Sequence, residues 1–426
     1  MKKEKEVLHK IEKILDQYYK NKKTKFTPGK TTIPLISPSY GKDEVVEALS
    51  SMVSTWVTMG KKVKLFEESF AKYNGVKYAV MVNSGSSANL LALSVLSHPT
   101  VKKIQRGDEI ITPAVTWATT VYPIVNIGAK PVFVDVDIET YTMNTKLTES
   151  AISKKTSAIM PVHLLGNPCD MNRLSKLTKN HNLVMVEDTC EAHGAEFGGK
   201  KVGSFGDMST FSFFMSHHIT TIEGGMLLTN NEQFYELAKS MRAFGWTRDL
   251  KNKNKFIKEN KQIDERFLFV NLGFNLRPTE LQGAFGIHQI KKLEKFIKIR
   301  KDNAKYWNKR LSGLEDIFFI PKETIGTRHS YFCYPLTIKE NVSFSRAELV
   351  KFLEKRNIET RPIMAGNMVE QPVTKSLQYK VHKTLKNSEL IMRNGFFVGN
   401  HQDIEKPQRE YVADSILEFI NKKIRK

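Results

Sequence analysis

Two adjacent histidines, His217 and His218, stand in the segment FSFFMSHHITTIEGG, residues 211–225. An imidazole has an unperturbed pKa near neutrality, so it can accept and return a proton at physiological pH. Residues 202–232 contain no lysine, so the segment offers no amine that could join a carbonyl group covalently. A lone histidine in such a strand–loop segment is more often structural, and the residues alone leave both interpretations open.

A possible phosphate site precedes these histidines in the segment NSGSSAN, residues 83–89, which follows an apolar run and opens a helical one. Gly85 would let the main chain approach a ligand closely. The hydroxyl of Ser86 and the amides of a helix N-terminus could then bind a phosphate. Many strand-to-helix turns share this composition without binding a ligand.

Three further side chains would complete a site for a planar, phosphorylated ligand. Trp117 lies just past the second apolar run and could stack on a ring, although it could equally be a core tryptophan. Asp188 ends the run VMVED and could pair with a protonated ring nitrogen, or act as a helix cap. Ser212 could add a phosphate contact, or be a strand hydroxyl facing solvent.

The elements that must position these residues alternate between strands and helices. Nearly continuous apolar strands with helical stretches between them predict a mostly parallel sheet that is covered on both faces. Such sheets bind ligands at the carboxyl ends of their strands, where the polar clusters lie. The predicted strands are 77–83, 108–114, 130–137, 157–165 and 182–188, and the predicted helices between them include 87–96 and 171–182.

The pattern changes after about residue 285, where a long basic helix leads into a strand at 330–338 and a helix at 345–357. We predict an N-terminal helical extension at 1–30, a large domain at 31–290 and a small α+β domain at 291–426. The lysine-rich segment 251–264 is predicted to be a mobile surface loop.

Composition narrows the possible classes. The formal net charge of +21 could attract nucleic acid, but no zinc-finger, basic-zipper or RNA-binding signature accompanies it. We therefore expect a lysine-rich surface whose potential suits a diphosphate, and no nucleic-acid partner. Three widely spaced cysteines fit a reducing cytoplasm, and no run of eighteen apolar residues predicts a membrane span.

Taken in order, these motifs resemble the fold-type I pyridoxal phosphate enzymes, and specifically the DegT/DnrJ/EryC1/StrS family of sugar aminotransferases. The resemblance covers nearly the whole chain. It implies an α/β, aspartate-aminotransferase-like large domain and a smaller C-terminal α+β domain. The segments that carry it are 59–90, PVFVDVD (131–137), EDTCEAHGAEF (187–197), 211–225 and LGFNLRPTELQGAFGIHQIKKL (272–293).

In that family a Schiff-base lysine lies six residues before Glu-Gly-Gly, and His217 holds this position here. The resemblance implies a sugar 3-dehydratase with His217 as its base. Such an enzyme uses non-covalent pyridoxal or pyridoxamine phosphate, L-glutamate as amino donor and a nucleotide-linked 4-keto-6-deoxy sugar. GDP is the expected nucleotide and CDP the alternative, and the hexose or heptose identity of the sugar stays open.

The resemblance also implies roles for further residues, and it implies no metal site. Asn275 and Arg277 are expected to reach across the interface of a homodimer into the partner's site. The expected cofactor-binding residues are Gly85, Ser86, Trp117, Asp188, Glu191, Ser212 and Asn275, and the expected substrate-binding residues are Arg248, Phe267, Arg277 and His218.

Three other kinds of protein would each require a feature elsewhere in the sequence. An ordinary nucleotide-sugar aminotransferase would need a lysine near His217. A relative of the CDP-4-keto-6-deoxyglucose 3-dehydrases, which carry an iron–sulfur cluster, would need cysteines in the loop at about 245–270, where there are none. A regulator built on this fold would need a DNA-binding domain ahead of it. We therefore expect an enzyme without an iron–sulfur cluster or a partner reductase.

Overall fold

A computed structural model describes residues 2–21 and 25–424. The helices are α1 (Lys2–Asn21), α2 (Lys42–Val53), α3 (Lys61–Asn74), α4 (Gly85–Leu96), α5 (Ala118–Asn126), α6 (Thr145–Ala151), α7 (Met171–His181), α8 (Glu232–Arg242), α9 (Lys253–Glu259), α10 (Glu280–Leu311), α11 (Arg346–Glu354), α12 (Lys386–Asn394) and α13 (Lys406–Ile424). The strands are β1 (Tyr78–Val82), β2 (Glu109–Pro113), β3 (Lys130–Val134), β4 (Thr156–Ile159), β5 (Val184–Asp188), β6 (Glu196–Phe197), β7 (Lys200–Lys201), β8 (Met208–Ser212), β9 (Gly225–Thr229), β10 (Phe318–Phe319), β11 (Thr327–Arg328), β12 (Tyr334–Ile338), β13 (Thr360–Pro362), β14 (Lys380–Val381) and β15 (Gly395–Val398).

The larger sheet has eight strands in the order β1-β9-β8-β5-β4-β2-β3-β14. Only β9 runs antiparallel to its neighbours, β1 and β8, and all other pairs are parallel. Apolar side chains of β1, β2, β4 and β5 are buried on both faces, as parallel strands under helices require. This architecture fits the predicted α/β fold.

The carboxyl ends of β1, β2, β5 and β8 point to one edge of this sheet because these strands run in the same direction. Ser84 caps α4 directly after β1, accepting a hydrogen bond from the Ser87 amide at 3.1 Å. Asp188 is the last residue of β5 and Ser212 the last of β8. The fold therefore gathers side chains that are distant in sequence at one edge.

The smaller sheet is antiparallel, with the order β10-β12-β15-β13, and it packs with α11, α13 and the second half of α10. The helix α10 runs without interruption from Glu280 to Leu311 along both sheets. Glycines at its start allow close packing, since a Cβ on Gly286 would lie 2.3 Å from the Phe66 ring. The domain boundary at 290/291 stays a prediction and falls within this helix.

Two peripheral segments complete the description. The N-terminal helix α1 packs on α2, and Lys42 of α2 forms ion pairs with Glu12 and Asp16. The segment 251–264, which was predicted to be a mobile loop, contains the short helix α9. The sequence around α9 is rich in lysine and asparagine and lacks the apolar periodicity that predicts a helix. In the structure α9 accordingly contains no buried residue. No helix within the described ranges is both long and apolar enough to cross a bilayer.

A buried charged pair braces the end of β5. His163 Nε2 lies 3.1 Å from a carboxylate oxygen of Glu187, and both side chains have no exposed area. The Glu187 carboxylate also accepts hydrogen bonds from the amides of Gly203, Phe205 and Gly206. Burial alone would lower the pKa of His163, but its hydrogen bonds with Cys169 and Glu187 raise that pKa to about 9.

Removing one partner of this pair should destabilise the fold strongly. We expect Glu187→Gln to lower the free energy of unfolding by about 3 kcal/mol, because it leaves a buried imidazole without its anion. The pKa of His163 is raised by folding, so its contribution is complete below pH 6.5 and is lost as the pH rises through about 9. Urea unfolding curves across this pH range would measure both effects.

The matched control is Glu149→Gln, which breaks the exposed pair of Glu149 with Arg173. That change should cost less than about 1 kcal/mol and leave the alkaline pH dependence unaltered. Equal costs for the two variants would show that the buried pair does not brace the fold.

Candidate active site

A cavity of about 440 Å³ opens at the carboxyl edge of the larger sheet. Its walls come from the turn after β1, the segment after β2, the end of β5, the His217 segment and the smaller sheet. The lining residues are Leu35, Ile36, Ser84, Gly85, Ser86, Asn89, Thr116, Trp117, Thr119, Thr120, Val162, Leu164, Asp188, Cys190, Glu191, Ser212, Phe214, Ser216, His217, Glu223, Phe332, Cys333, Arg361, Pro362, Met364 and Phe397.

One end of the cavity is an anion cradle. Gly85 is the first residue of α4, so the unpaired amides of this helix N-terminus face the cavity beside Ser86. A Cβ on Gly85 would lie 2.5 Å from the Cβ of Ser212, so no larger residue fits between the helix and β8. Glycine at this point brings main-chain donors and two serine hydroxyls together, as a phosphate requires.

The opposite end holds an oriented carboxylate. One oxygen of Asp188 accepts hydrogen bonds from Asn89 Nδ2 at 3.0 Å and Thr120 Oγ1 at 2.8 Å. Its other oxygen accepts the Cys190 amide at 3.2 Å. Asn89 is held in turn by the Thr210 hydroxyl. Asp188 is 5% exposed and therefore presents a fixed acceptor to a ligand in the cavity.

Trp117 precedes α5 and covers part of the cavity with an indole that is 58% exposed. Such exposure argues against a core tryptophan. A large aromatic face beside a cavity is suited to stacking on a planar ring.

His217 lines the cavity and is half-buried, while its Nδ1 atom is fully buried and has no hydrogen-bond partner. The ring therefore turns Nδ1 into the protein and its other nitrogen, Nε2, toward the cavity. Burial lowers the pKa of His217 to about 3, and the charge of Arg300 acts in the same direction. The imidazole is consequently neutral at physiological pH and carries a lone pair on one of its two ring nitrogens.

Glu191 supplies a second proton-carrying group. Its Oε2 accepts the Leu165 amide at 2.8 Å. Burial, with the nearby Asp188 charge, raises the pKa of Glu191 to about 8 despite that hydrogen bond. At neutral pH this side chain is a carboxylic acid within the cavity wall.

The predicted substrate-binding residues do not line this chain's cavity. His218 is fully buried, with Nε2 3.0 Å from the carbonyl of Ser330, because the turn at 215–219 directs it into the protein. Its predicted substrate contact therefore does not match this geometry. The other predicted contacts, and Asn275 of the cofactor set, lie on a separate outer surface.

That outer surface carries stacked aromatic rings and guanidinium groups. The Arg248 guanidinium lies 4.0 Å from the Trp246 ring, and that ring stacks on Phe269 with centroids 5.7 Å apart. Arg277 covers Phe244 at 4.7 Å and donates to Asn275 Oδ1 at 3.1 Å. Phe267, in the same stretch of chain, is 61% exposed. We call the surface formed by residues 244–277 the aromatic–guanidinium surface.

Sequence reasoning missed several residues that support the site. Asn89 and Thr120 orient Asp188, but each is a single polar residue in an otherwise largely apolar helix face and no sequence pattern marks its partner. His193 packs against His217 with ring centroids 6.0 Å apart, although the quoted motif EDTCEAHGAEF contains it. Arg300 lies inside α10 and is only 3% exposed. Its burial could not be predicted from the sequence, because α10 contains many lysines and arginines and nothing distinguishes Arg300 from the exposed ones.

The cavity fits pyridoxal phosphate, the cofactor that the sequence resemblance implies. The cradle at Gly85 and Ser212 suits its phosphate, Trp117 its ring face and Asp188 its protonated ring nitrogen. No lysine lines the cavity within the described residues, so these contacts would hold the cofactor without a covalent bond. In the same residues no cluster of histidine, cysteine and acidic side chains is arranged for a metal ion.

Comparisons with known proteins identify the family. Residues 38–417 match the family model described as "DegT/DnrJ/EryC1/StrS aminotransferase family". GDP-4-keto-6-deoxy-D-mannose 3-dehydratase of Escherichia coli O55:H7 is 42% identical over 372 residues, covering 87% of this chain and 95% of that protein.

Solved structures agree with this match. The E. coli GDP-4-keto-6-deoxy-D-mannose-3-dehydratase with bound hydrated PLP superposes with a TM-score of 0.86, at 40% identity, covering 90% of this chain and 99% of that one. A GDP-4-keto-6-deoxymannose-3-dehydratase with a trapped PLP-glutamate geminal diamine superposes with a TM-score of 0.85, at 41% identity, covering 90% of this chain and 99% of that one. These neighbours confirm the predicted α/β, fold-type I architecture with its smaller C-terminal domain, and the chain belongs to the DegT/DnrJ/EryC1/StrS aminotransferase family.

Proposed function

We propose that this protein is a pyridoxal phosphate-dependent 3-dehydratase of a GDP-linked 4-keto-6-deoxy sugar, with L-glutamate as amino donor. The observation that carries the proposal is a neutral histidine, His217, in a cofactor cavity that no described lysine lines. The product would be a 3-deoxy-4-keto sugar for dideoxysugar units of lipopolysaccharide or capsule. The relatives named for GDP-4-keto-6-deoxy-D-mannose support this substrate over a CDP-linked one.

The chain's own residues would bind and orient the reactants. The α4 N-terminus with Ser86 and Ser212 would hold the cofactor phosphate, and Asp188 would fix the ring nitrogen. When bound, the cofactor supplies an amine that joins the sugar's keto carbon and a ring that withdraws electrons from it. Trp117 and the apolar wall at Phe332 and Phe397 would exclude water from that carbon.

Two groups in the cavity wall, His217 and Glu191, would control the protons of the reaction. His217 would accept a proton at Nε2, which faces the cavity, and give it up again. Glu191, protonated at neutral pH, would keep a neutral hydrogen-bond donor near the ring. The hydroxyl at carbon 3 would take a proton as it leaves and depart as water.

The overall balance needs no external oxidant or reductase. Glutamate loses its amino group and two electrons to become 2-oxoglutarate, and the sugar uses these electrons when its hydroxyl is replaced by hydrogen. The nitrogen is released as ammonia. This scheme would also proceed without an iron–sulfur cluster, and the absence of cysteines at 245–270 supports that reading.

A homodimer would explain the aromatic–guanidinium surface. Asn275, Arg277, Arg248 and Phe267 lie outside this chain's cavity and would reach into the partner's cavity, where they would contact cofactor phosphate and substrate. Apolar side chains nearby are also exposed, as is common at a protein interface. Leu272 is 88% exposed and Phe269 is 51% exposed. A cytoplasmic location accords with such a biosynthetic enzyme and stays a prediction.

Two rival functions are less well supported. An aminotransferase returns its amino group through a Schiff-base lysine, and the cavity wall offers none among the described residues. A CDP-sugar dehydrase of the cluster-dependent type would require a set of thiolates. Cys169 is fully buried, and the sequence has only Cys190 and Cys333 besides it.

The proposed reaction predicts its products. Purified protein with pyridoxal phosphate, glutamate and GDP-4-keto-6-deoxymannose should release ammonia and 2-oxoglutarate in equal amounts, together with the 3-deoxy sugar. Enzymatic ammonia detection and mass spectrometry would measure this, with the CDP- and dTDP-linked sugars as a specificity panel. A 4-amino sugar formed without ammonia would identify an aminotransferase instead.

The replacement His217→Lys should restore a covalent link to the cofactor and abolish dehydration. We expect ammonia release to fall by at least about 100-fold, since the base is lost. Borohydride reduction followed by peptide mass spectrometry would detect the link. The control His217→Asn removes the base without adding an amine, so it should lose dehydration with no covalent product. Unchanged ammonia release in either variant would exclude His217 as the base.

If each cavity is built from residues of both subunits, two inactive variants with changes in different parts of the cavity should restore activity to each other. His217→Asn and Arg277→Ala should each be inactive as homodimers, whereas co-expression should restore about a quarter of wild-type activity, because half the dimers contain one intact cavity. Pairing His217→Asn with Asp188→Asn should restore nothing, since both residues line the same chain's cavity. If the first pair also stays inactive, Arg277 does not serve the partner.

A further inference from the structure

Three imidazoles form a row that begins with the half-buried His217 at the cavity wall and continues to two fully buried histidines. His193 is fully buried between His217 and His218, with ring centroids 6.0 Å and 5.6 Å from theirs. Its remaining neighbours are the rings of Phe70, Phe211 and Phe213. A polar side chain in such an apolar pocket requires a reason, because burying an unpaired polar group is costly.

Four ring nitrogens of this row lack a well-formed hydrogen bond, although the main chain of Ser212 lies close enough to His193 to raise its pKa against the effect of burial. The four nitrogens are Nδ1 of His217, both nitrogens of His193 and Nδ1 of His218. The row is nevertheless anchored at its far end, where His218 Nε2 lies 3.0 Å from the Ser330 carbonyl. A carbonyl only accepts, so His218 carries its hydrogen on Nε2 and a lone pair on Nδ1.

A buried cation keeps the row uncharged. Arg300 donates to the carbonyls of Phe332 and Asn400 and has no carboxylate among its hydrogen-bond partners in the described residues. Burial first, and then this positive charge, hold the pKa of His217 and His218 well below the usual histidine range. For His193 burial comes first, followed by the His217 and Arg300 charges, with the same direction. Each ring therefore has one N–H and one lone pair.

With the three rings bonded only to one another, these constraints permit one order of donors. His218 Nδ1 can only accept, so it can take the N–H of His193. The other nitrogen of His193 is then an acceptor, and it can take the N–H at Nδ1 of His217. That leaves the lone pair of His217 on Nε2, which is the atom that faces the cavity. The order satisfies all four unpartnered nitrogens at once.

We propose that His193 is a positioning residue that completes a hydrogen-bonded relay from Ser330 through His218 and His193 to Nδ1 of His217. The relay fixes His217 in the tautomer whose Nε2 can accept a proton, and this role rests on the proposed function. In this structure the nitrogen atoms of neighbouring rings do not yet form hydrogen bonds with one another. Hydrogen bonds of this kind commonly tighten when the cavity is occupied.

Neutron diffraction from crystals of the deuterated protein with pyridoxal phosphate bound would test the relay directly. Deuterium is expected on Nδ1 of His217, on one nitrogen of His193 and on Nε2 of His218. Deuterium on Nε2 of His217, or on Nδ1 of His218, would overturn the relay. A bond from His193 to the nearby main chain of Ser212 in place of His218 would also overturn it.

Kinetics would test the consequence. His193→Phe keeps a ring but removes the acceptor, so kcat should fall about 100-fold while KM for the sugar stays unchanged. His193→Asn and His193→Gln place an amide near Nδ1 and Nε2 respectively, and one of them should recover most of that loss. An unchanged kcat in His193→Phe would overturn the role, as would equal losses in all three variants.

Controls separate this proposal from the proposed function. His181→Phe alters an exposed histidine in the last turn of α7 and should leave kcat unchanged. Melting temperature and cofactor absorbance would verify that each variant is folded and loaded. Neutron diffraction locates the protons without any turnover of substrate. If the wild-type protein releases no ammonia, that result refutes the proposed function and leaves the relay untouched. Wrong proton positions in an active enzyme refute the relay alone.

Discussion

Two consecutive carboxylates at the end of β5 hold the site together. Because side chains alternate along a strand, Glu187 and Asp188 project to opposite faces of the sheet. Glu187 binds His163 and the turn before β8, while Asp188 binds one residue from α4 and one from α5. The anion cradle, the stacking tryptophan and the His217 segment all depend on elements that these two residues fix in place.

Burial and neighbouring groups set the protonation state of each titratable side chain in the site. Asp188 is surrounded by three donors, and Glu191 beside it is held neutral by burial. Arg300 lies behind the histidines and disfavours their protonation. One cavity thereby contains an oriented anion, a neutral acid and a neutral base. Such an arrangement suits a reaction in which protons must move in a set order.

Sequence patterns predicted the features of this molecule that depend on residues close together in the chain. The apolar runs at 77–83 and 182–188 became β1 and β5, and the single histidine at the family's lysine position, His217, predicted the chemistry. Pattern could not reveal that Arg300 is buried or that His193 lies between two other histidines. Those facts depend on contacts between residues far apart in the chain. The helix α9 was missed because it has no buried face.

The long helix α10 has a mechanical consequence. After Gly286 it contains neither glycine nor proline, so its last twenty-five or so residues form a stiff rod. One end of this rod packs on α2 and α3, and the other contacts β12 of the smaller sheet, where the Trp307 ring lies 4.9 Å from the Tyr334 ring. Any widening of the cavity mouth must therefore come from sliding of the smaller sheet along this rod, or from bending in the loops, because the rod itself resists flexing.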